Sequence, residues 1–221
     1  MITVQQLKKV YESGGESDLV LSVASLHIKE GERVAITGTS GSGKSTLLHM
    51  MSGVMEPTEG SVVVAGTELA SLRPAARDAF RLATIGYIFQ DFHLLPSLTA
   101  EENVRLALPT EHLSDEQMNR AFQSVGLAHR RHAKPHELSR GQQQRVAFLR
   151  ALVSEAPLIL ADEPTGSLDA KTAKATMELL QDLCRVRGKT LVCVTHDEAL
   201  AATFPRQLRM ETLNDVLKGG A

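Results

Sequence analysis

Cysteine is scarce: the 221 residues hold two, Cys184 and Cys193, in a predicted helix and a predicted strand, without the spacing of metal ligands. A cysteine metal centre is thereby set aside, and a reduced, packed pair in the cytosol is the expectation. Basic excess is missing too. A formal net charge of -2 gives no electrostatic footprint for duplex nucleic acid, which usually needs a strongly basic face, so no nucleic-acid partner is expected. The one dense basic run, His129 to Lys134, is short enough to be a solvated surface. No apolar run approaches the roughly 20 residues that span a bilayer, and no signal peptide is expected ahead of the first strand. The expectation is a soluble protein whose membrane role comes only through a partner. Internal repeats and low-complexity segments are absent, and the length suits one large domain or two small ones.

What is present is periodicity. Alternating apolar residues in ITVQQLKKVY and DLVLSVASLHI predict two antiparallel strands joined by the turn-like ESGGES. ERVAIT reads as a buried strand running into a glycine-rich loop and the helix KSTLLHMMSG; a turn at 57–60, the strand SVVVAG and the buried strand TIGYIF follow. Thr99 with Glu102, Ser114 with Gln117 and Ser139 with Gln142 each match a capping box, marking a helical block over 95–155. Beyond it come the short strand PLILAD, an amphipathic helix stopped at Gly188, and the strand TLVCVTH. Such alternation favours a mostly parallel sheet with helices on its faces. The expected fold is therefore α/β, a core from 1–94 and 156–221 with an N-terminal antiparallel β subdomain and the helical block 95–155 inserted.

Between ERVAIT and its helix lie Gly38, Thr39, Ser40, Gly41, Ser42, Gly43, Lys44, Ser45 and Thr46. This is the G-x-x-x-x-G-K-[ST] pattern in the strand–loop–helix setting it needs. Its glycines let backbone N–H groups curl around a phosphate, and the helix N-terminus adds partial positive charge. Lys44 is expected to reach the β and γ phosphates and Ser45 to ligate Mg²⁺. The guanine-reading Asn-Lys-x-Asp is lacking, which points to ATP.

Farther on, Leu158 to Ala161 lead into Asp162 and Glu163. A strand of a parallel sheet that ends in carboxylates delivers them to the crevice where ligands of such folds bind. Asp162 is the expected partner of Mg²⁺ and Glu163 the base for the attacking water. Ser139 and Gln142 explain the start of the helix after Leu138, but Gly141 in its first turn disfavours it by up to about 1 kcal/mol.

Together these residues resemble the ABC-type ATPases along nearly the whole chain. GTSGSGKST is similar to the Walker A loop, LILADE to the Walker B strand, LSRGQ to the signature, and Ser167-Leu168-Asp169 to the D-loop. The resemblance implies the P-loop NTPase fold. It makes Gln90 the Q-loop glutamine, a catalytic and metal-contacting residue. His196 becomes the switch histidine on the γ-phosphate, and Tyr11 an aromatic that stacks on adenine by a cation-free π contact. It also implies a head-to-tail homodimer in the ATP state. There Ser139, Gly141 and Gln142 at a helix N-terminus serve the neighbour's nucleotide, and Gly141 lets the phosphate approach.

The segments FHLLP and ADEPTGSLD narrow the resemblance to LolD-like lipoprotein-release, MacB-like exporter and FtsE-like division ATPases. That implies a peripheral position on the cytoplasmic face of the inner membrane. It also implies a permease partner; the apolar character of Phe92, Leu94 and Leu95 beside Gln90, with all three expected to be exposed, suggests that its coupling helix is received near Phe92 to Pro96. The alternative within the resemblance is an FtsE-like switch of envelope or division machinery that transports nothing. Two departures stand out: Arg140 replaces a signature glycine, and METLNDVLKGGA lacks the usual Asp-Gly hairpin.

Overall fold

The computed structural model describes residues 1–14, 16–108 and 113–218. Strands β1 (Ile2–Ser13) and β2 (Glu16–Ile28) pair antiparallel, from Ile2 opposite Ile28 to Ser13 opposite Glu16, as the alternation predicts. The turn's Gly15 lies outside the described residues. Ile2, Val4, Leu7, Leu21 and Val23 are buried on one face. A bulge at Gln6, whose φ is 47°, lets Leu7 rather than Gln6 continue that face. Strand β4 (Glu59–Val64) adds antiparallel to β1, and β5 (Thr67–Glu68) adds to β4.

A second sheet holds β3 (Arg33–Thr37), β6 (Ile85–Ile88), β7 (Leu158–Asp162), β8 (Thr190–Thr195) and β9 (Arg206–Arg209) in the order β6-β7-β8-β3-β9. All of its pairings are parallel. Because both faces are covered, the central strands are continuously apolar rather than alternating. Leu158 and Leu160 of β7 join the cluster around helix α1 (Lys44–Met51), whereas Ile159 and Ala161 face α6 (Ala170–Val186). Period-two geometry then puts Asp162 on the α1 face. Cys184 of α6 and Cys193 of β8 are free and buried in the same cluster, and burial pushes the Cys184 thiol up to about 12.

Helices α3 (Ala100–Arg105), α4 (Asp115–Ser124) and α5 (Arg140–Leu152) share a third apolar cluster built on Val104, Phe122, Val146 and Leu149. All three expected capping boxes are formed in full. Buried Arg131 ties the cluster together by binding Glu101 of α3 and Asp115 of α4, and Glu101 also takes Arg105.

The short strands β5 and β9 and the helix α7 (Glu198–Ala201) were not foreseen from the residues, nor were two further helical segments. Helix α2 (Pro74–Thr84) buries only Thr84 and has no side-chain cap; its local signals are Pro74 in the first turn and a strongly amphipathic pattern. The segment after β9 forms the short helix α8 (Met210–Leu213) and a further helical turn at Asp215–Lys218.

Candidate nucleotide-hydrolysis site

The loop from Gly38 to Gly43 joins β3 to α1. Gly41 and Gly43 adopt φ of 80° and 93°, values that cost other residues a clash with Cβ. Gly43 is the N-cap of α1 and supplies no side-chain cap, which leaves the first N–H groups of the helix available to an anion. Lys44, 7% exposed, donates to the carbonyls of Gly38 at 2.7 Å and Thr39 at 2.9 Å. Its ammonium is 3.8 Å from Glu163 Oε1.

Ser45 Oγ donates to Asp162 Oδ1 at 3.0 Å. Burial pushes the Asp162 carboxyl up, against the lowering effect of that hydrogen bond. The next residue, Glu163, turns off the sheet with φ 44°. Its N–H donates to Val194 O at 3.0 Å, and its carbonyl accepts from Gly166 at 3.1 Å. The parallel register sets Asp162 beside Val194, so Glu163 arrives at the end of β8. There its Oε2 is 2.9 Å from His196 Nδ1 and accepts the His196 N–H at 3.3 Å.

A cleft of about 560 Å³ is lined by Ser40, Gly41, Gly43, Lys44, Ser45, Thr46, Gln90, Glu163 and His196, and by Val20. Nine of the residues anticipated from the sequence thus meet in one place. Gly38, Thr39 and Ser42 belong to the same loop without lining the cleft. Val20 was missed, since an apolar residue in a strand carries no signal of a ligand.

Four anticipated residues are elsewhere. Tyr11 lies outside the cleft lining; its hydroxyl donates to Met55 Sδ at 3.3 Å, and the Lys9 ammonium sits 5.3 Å over its ring centroid. The ring as folded is therefore not cation-free. Ser139, Gly141 and Gln142 start α5, where Ser139 Oγ accepts the Gln142 N–H at 3.3 Å and Gln142 Oε1 accepts the Ser139 N–H at 2.9 Å. A Cβ at Gly141 would come 3.1 Å from Thr172 Cγ2 of α6. Packing within the chain is thus a second reason for that glycine.

A second cavity, about 460 Å³, separates α2 and β6 from the ends of α3 and α5; Leu82, Tyr87, Phe89, Leu106 and Arg150 line it. Leu82, Leu106 and Phe89 are 65%, 56% and 41% exposed. Of the three residues expected to be exposed nearby, Leu95 is, whereas Phe92 and Leu94 are half-buried and Leu94 packs on the helical cluster. Arg150 donates to the carbonyls of His93 at 2.6 Å and Phe92 at 2.8 Å, so α5 holds the segment that follows Gln90.

Residues 21–166 match the family model for the ABC transporter. The chain belongs to the ABC transporter family. Lipoprotein-releasing system ATP-binding protein LolD of Pseudomonas syringae pv. tomato is 44% identical over 96% of this chain and 95% of its own. The same-named protein of Shewanella oneidensis is 44% identical over 96% and 94%. Among solved structures, the ATP-binding cassette MJ0796, a dimer in a post-hydrolysis state bound to ADP and Pi, superposes with a TM-score of 0.84. It is 41% identical and covers 97% of this chain and 95% of its own. This ABC protein is accordingly the ATP-binding, ATP-hydrolysing subunit of a transporter. None of its helices among the described residues is long and apolar enough to cross a membrane.

Proposed function

We propose that this subunit powers a membrane permease of the lipoprotein-release type from the cytoplasmic face of the membrane. Near full-length similarity to two LolD proteins supports the substrate class. The observation that carries the chemistry is Glu163, held between Lys44 and His196 at the mouth of the cleft. Its carboxylate takes the proton of the attacking water. The Lys44 ammonium and the N-terminus of α1 neutralise the phosphates, and His196 contacts the γ-phosphate. Lys44 must then exchange the carbonyls of Gly38 and Thr39 for phosphate oxygens.

Ser45 and Asp162 fit Mg²⁺. They offer hard oxygen donors already in contact, and burial disfavours a lone Asp162 anion that a cation would restore. Among the described residues no group of three or more His, Cys, Asp or Glu could hold a metal. That suits an ion carried largely by phosphates with one or two protein ligands. Gln90, which lines the cleft, is the third expected contact. Bound there, Mg²⁺ supplies positive charge to the phosphates.

The signature Ser139, Gly141 and Gln142 lie outside this chain's own cleft. We assign them to the nucleotide of a second copy packed head to tail, as the dimeric state of the solved cassette supports. The apolar cavity at Leu82, Phe89 and Leu106 receives the permease's coupling helix, and Arg150 relays its presence to the segment of Gln90. Nucleotide binding and single-turnover hydrolysis measured in Lys44→Ala and Glu163→Gln test the chemical assignment. The first should lose both, the second hydrolysis alone; normal turnover in either sinks it.

A further inference from the structure

The segment after β9 leads to an asparagine with no exposed surface. Asn214 is 0% exposed. Its Oδ1 accepts the N–H of Ser22 at 2.8 Å and of Val216 at 3.3 Å. Its Nδ2 donates to the carbonyl of Val20 at 3.0 Å and to that of Ser42, in the phosphate loop, at 3.2 Å. One side chain therefore joins strand β2, the turn after α8 and the loop, across 192 positions to Ser22 and 172 to Ser42. The same segment also packs on the loop's first residue, where a Cβ on Gly38 would fall 2.9 Å from Met210 Cβ.

We propose that Asn214 is a positioning residue for nucleotide binding, because it fixes the direction of a phosphate-facing N–H. In a planar trans peptide the carbonyl of one residue and the N–H of the next point in opposite directions. With the Ser42 carbonyl drawn to Asn214, the N–H of Gly43 points away from Asn214, and Gly43 lines the cleft. Glycine permits a flip of that peptide at little steric cost, so the loop needs an outside group to hold one orientation. Asn214 is that group, and its other three hydrogen bonds keep its amide from turning.

This inference rests on the reading of the loop as the phosphate site, so Lys44→Ala is measured beside it. Asn214→Asp keeps the Oδ1 acceptor for Ser22 and Val216 but replaces the amide donor with an oxygen that repels the carbonyls of both Val20 and Ser42, of which only the second belongs to the loop. In the full chain, binding of N-methylanthraniloyl-ATP should weaken about five- to tenfold, the scale of one lost buried hydrogen bond. Amide exchange across 38–45 should quicken without nucleotide while exchange in β8 stays at the parental rate; Asn214→Ala should act in the same direction. Parental affinity in Asn214→Asp overturns the inference. So does weakened binding with equally faster exchange in β8, because Asn214 would then hold the fold rather than the loop. Should Lys44→Ala itself bind at parental affinity, the phosphate-site reading fails instead.

Discussion

Glu163 occupies a left-handed backbone conformation, φ 44°, that costs a residue with a Cβ about 1–3 kcal/mol. Two backbone hydrogen bonds, to Val194 and from Gly166, hold it there. The result is a carboxylate in reach of both Lys44 and His196. Replacing it with glutamine keeps the shape and removes the base proposed for the attacking water. Single-turnover assays should show hydrolysis about 10²- to 10⁴-fold slower, the usual worth of a general base, with nucleotide affinity near the parental value. Gly141 is a second case where one residue answers to two demands. In Gly141→Ala the intrinsic gain in helix propensity, about 1 kcal/mol, opposes the crowding against Thr172. Urea unfolding should therefore move little, whereas ATP-driven dimerisation should be lost. Thr172→Ser removes the crowding methyl, so recovery of dimerisation in the double variant would reassign Gly141 to packing alone.

Among the elements, the helical cluster depends on one buried charge cluster as well as on apolar contact. Burial alone would raise the Glu101 carboxyl, but hydrogen bonds from Arg131 and Arg105 outweigh it and hold it below the usual glutamate range. A depressed carboxyl gives stability that is fully present above the unfolded pKa, about 4.3. It is lost as pH falls from there through the folded value. The helices α3 to α5 should accordingly loosen in acid before the parallel sheet does, as amide exchange resolved by segment would reveal. Glu101→Gln leaves Arg131 buried without a full counter-charge and should cost about 3–5 kcal/mol at neutral pH. It should also flatten the acid limb of the stability curve; an unchanged acid limb would remove Glu101 from this role. The caps that begin α3, α4 and α5 could be read directly, since each lies within four consecutive residues. The Glu101–Arg131 pair could not, because 30 positions separate its partners.

For the whole molecule, the decisive relation is between the hydrolytic cleft and the apolar cavity. They share strand β6 and the segment beyond it: Tyr87 and Phe89 line the cavity, and Gln90 lines the cleft. A permease helix seated on Leu82 and Leu106 would press on that segment, whose Phe92 and His93 carbonyls Arg150 already holds. Leu82 is well exposed and does not line the cleft, so Leu82→Asp should not disturb folding. Expected is an isolated subunit with ATPase activity within about twofold of the parent, since an exposed substitution usually alters stability by no more than about 0.5 kcal/mol. Copurification with the permease and its stimulation of turnover should both be lost. Equal loss of basal and stimulated activity would separate the cavity from coupling. Sequence pattern expects Phe92, Leu94 and Leu95 to be exposed for a contact near Phe92 to Pro96; of these three only Leu95 is exposed. Hydrophobicity in a loop cannot say which side chains the neighbouring helices will cover.

By itself, the sequence determined whatever is settled over a few residues. Glycines at 41 and 43 permit the left-handed turns of the loop, Ser139 with Gln142 starts α5, and continuous apolar runs specify strands buried on both faces. Only the tertiary structure decided which distant residues meet. Ser45 reaches Asp162 across 117 positions and Glu163 reaches His196 across 33, because strand order and parallel register bring the C-terminal ends of β3, β7 and β8 side by side. Asn214 belongs wholly to this second kind. An asparagine in a polar tail carries no local mark of its place, and its position beneath the phosphate loop follows from the crossover that lays β9 beside β3.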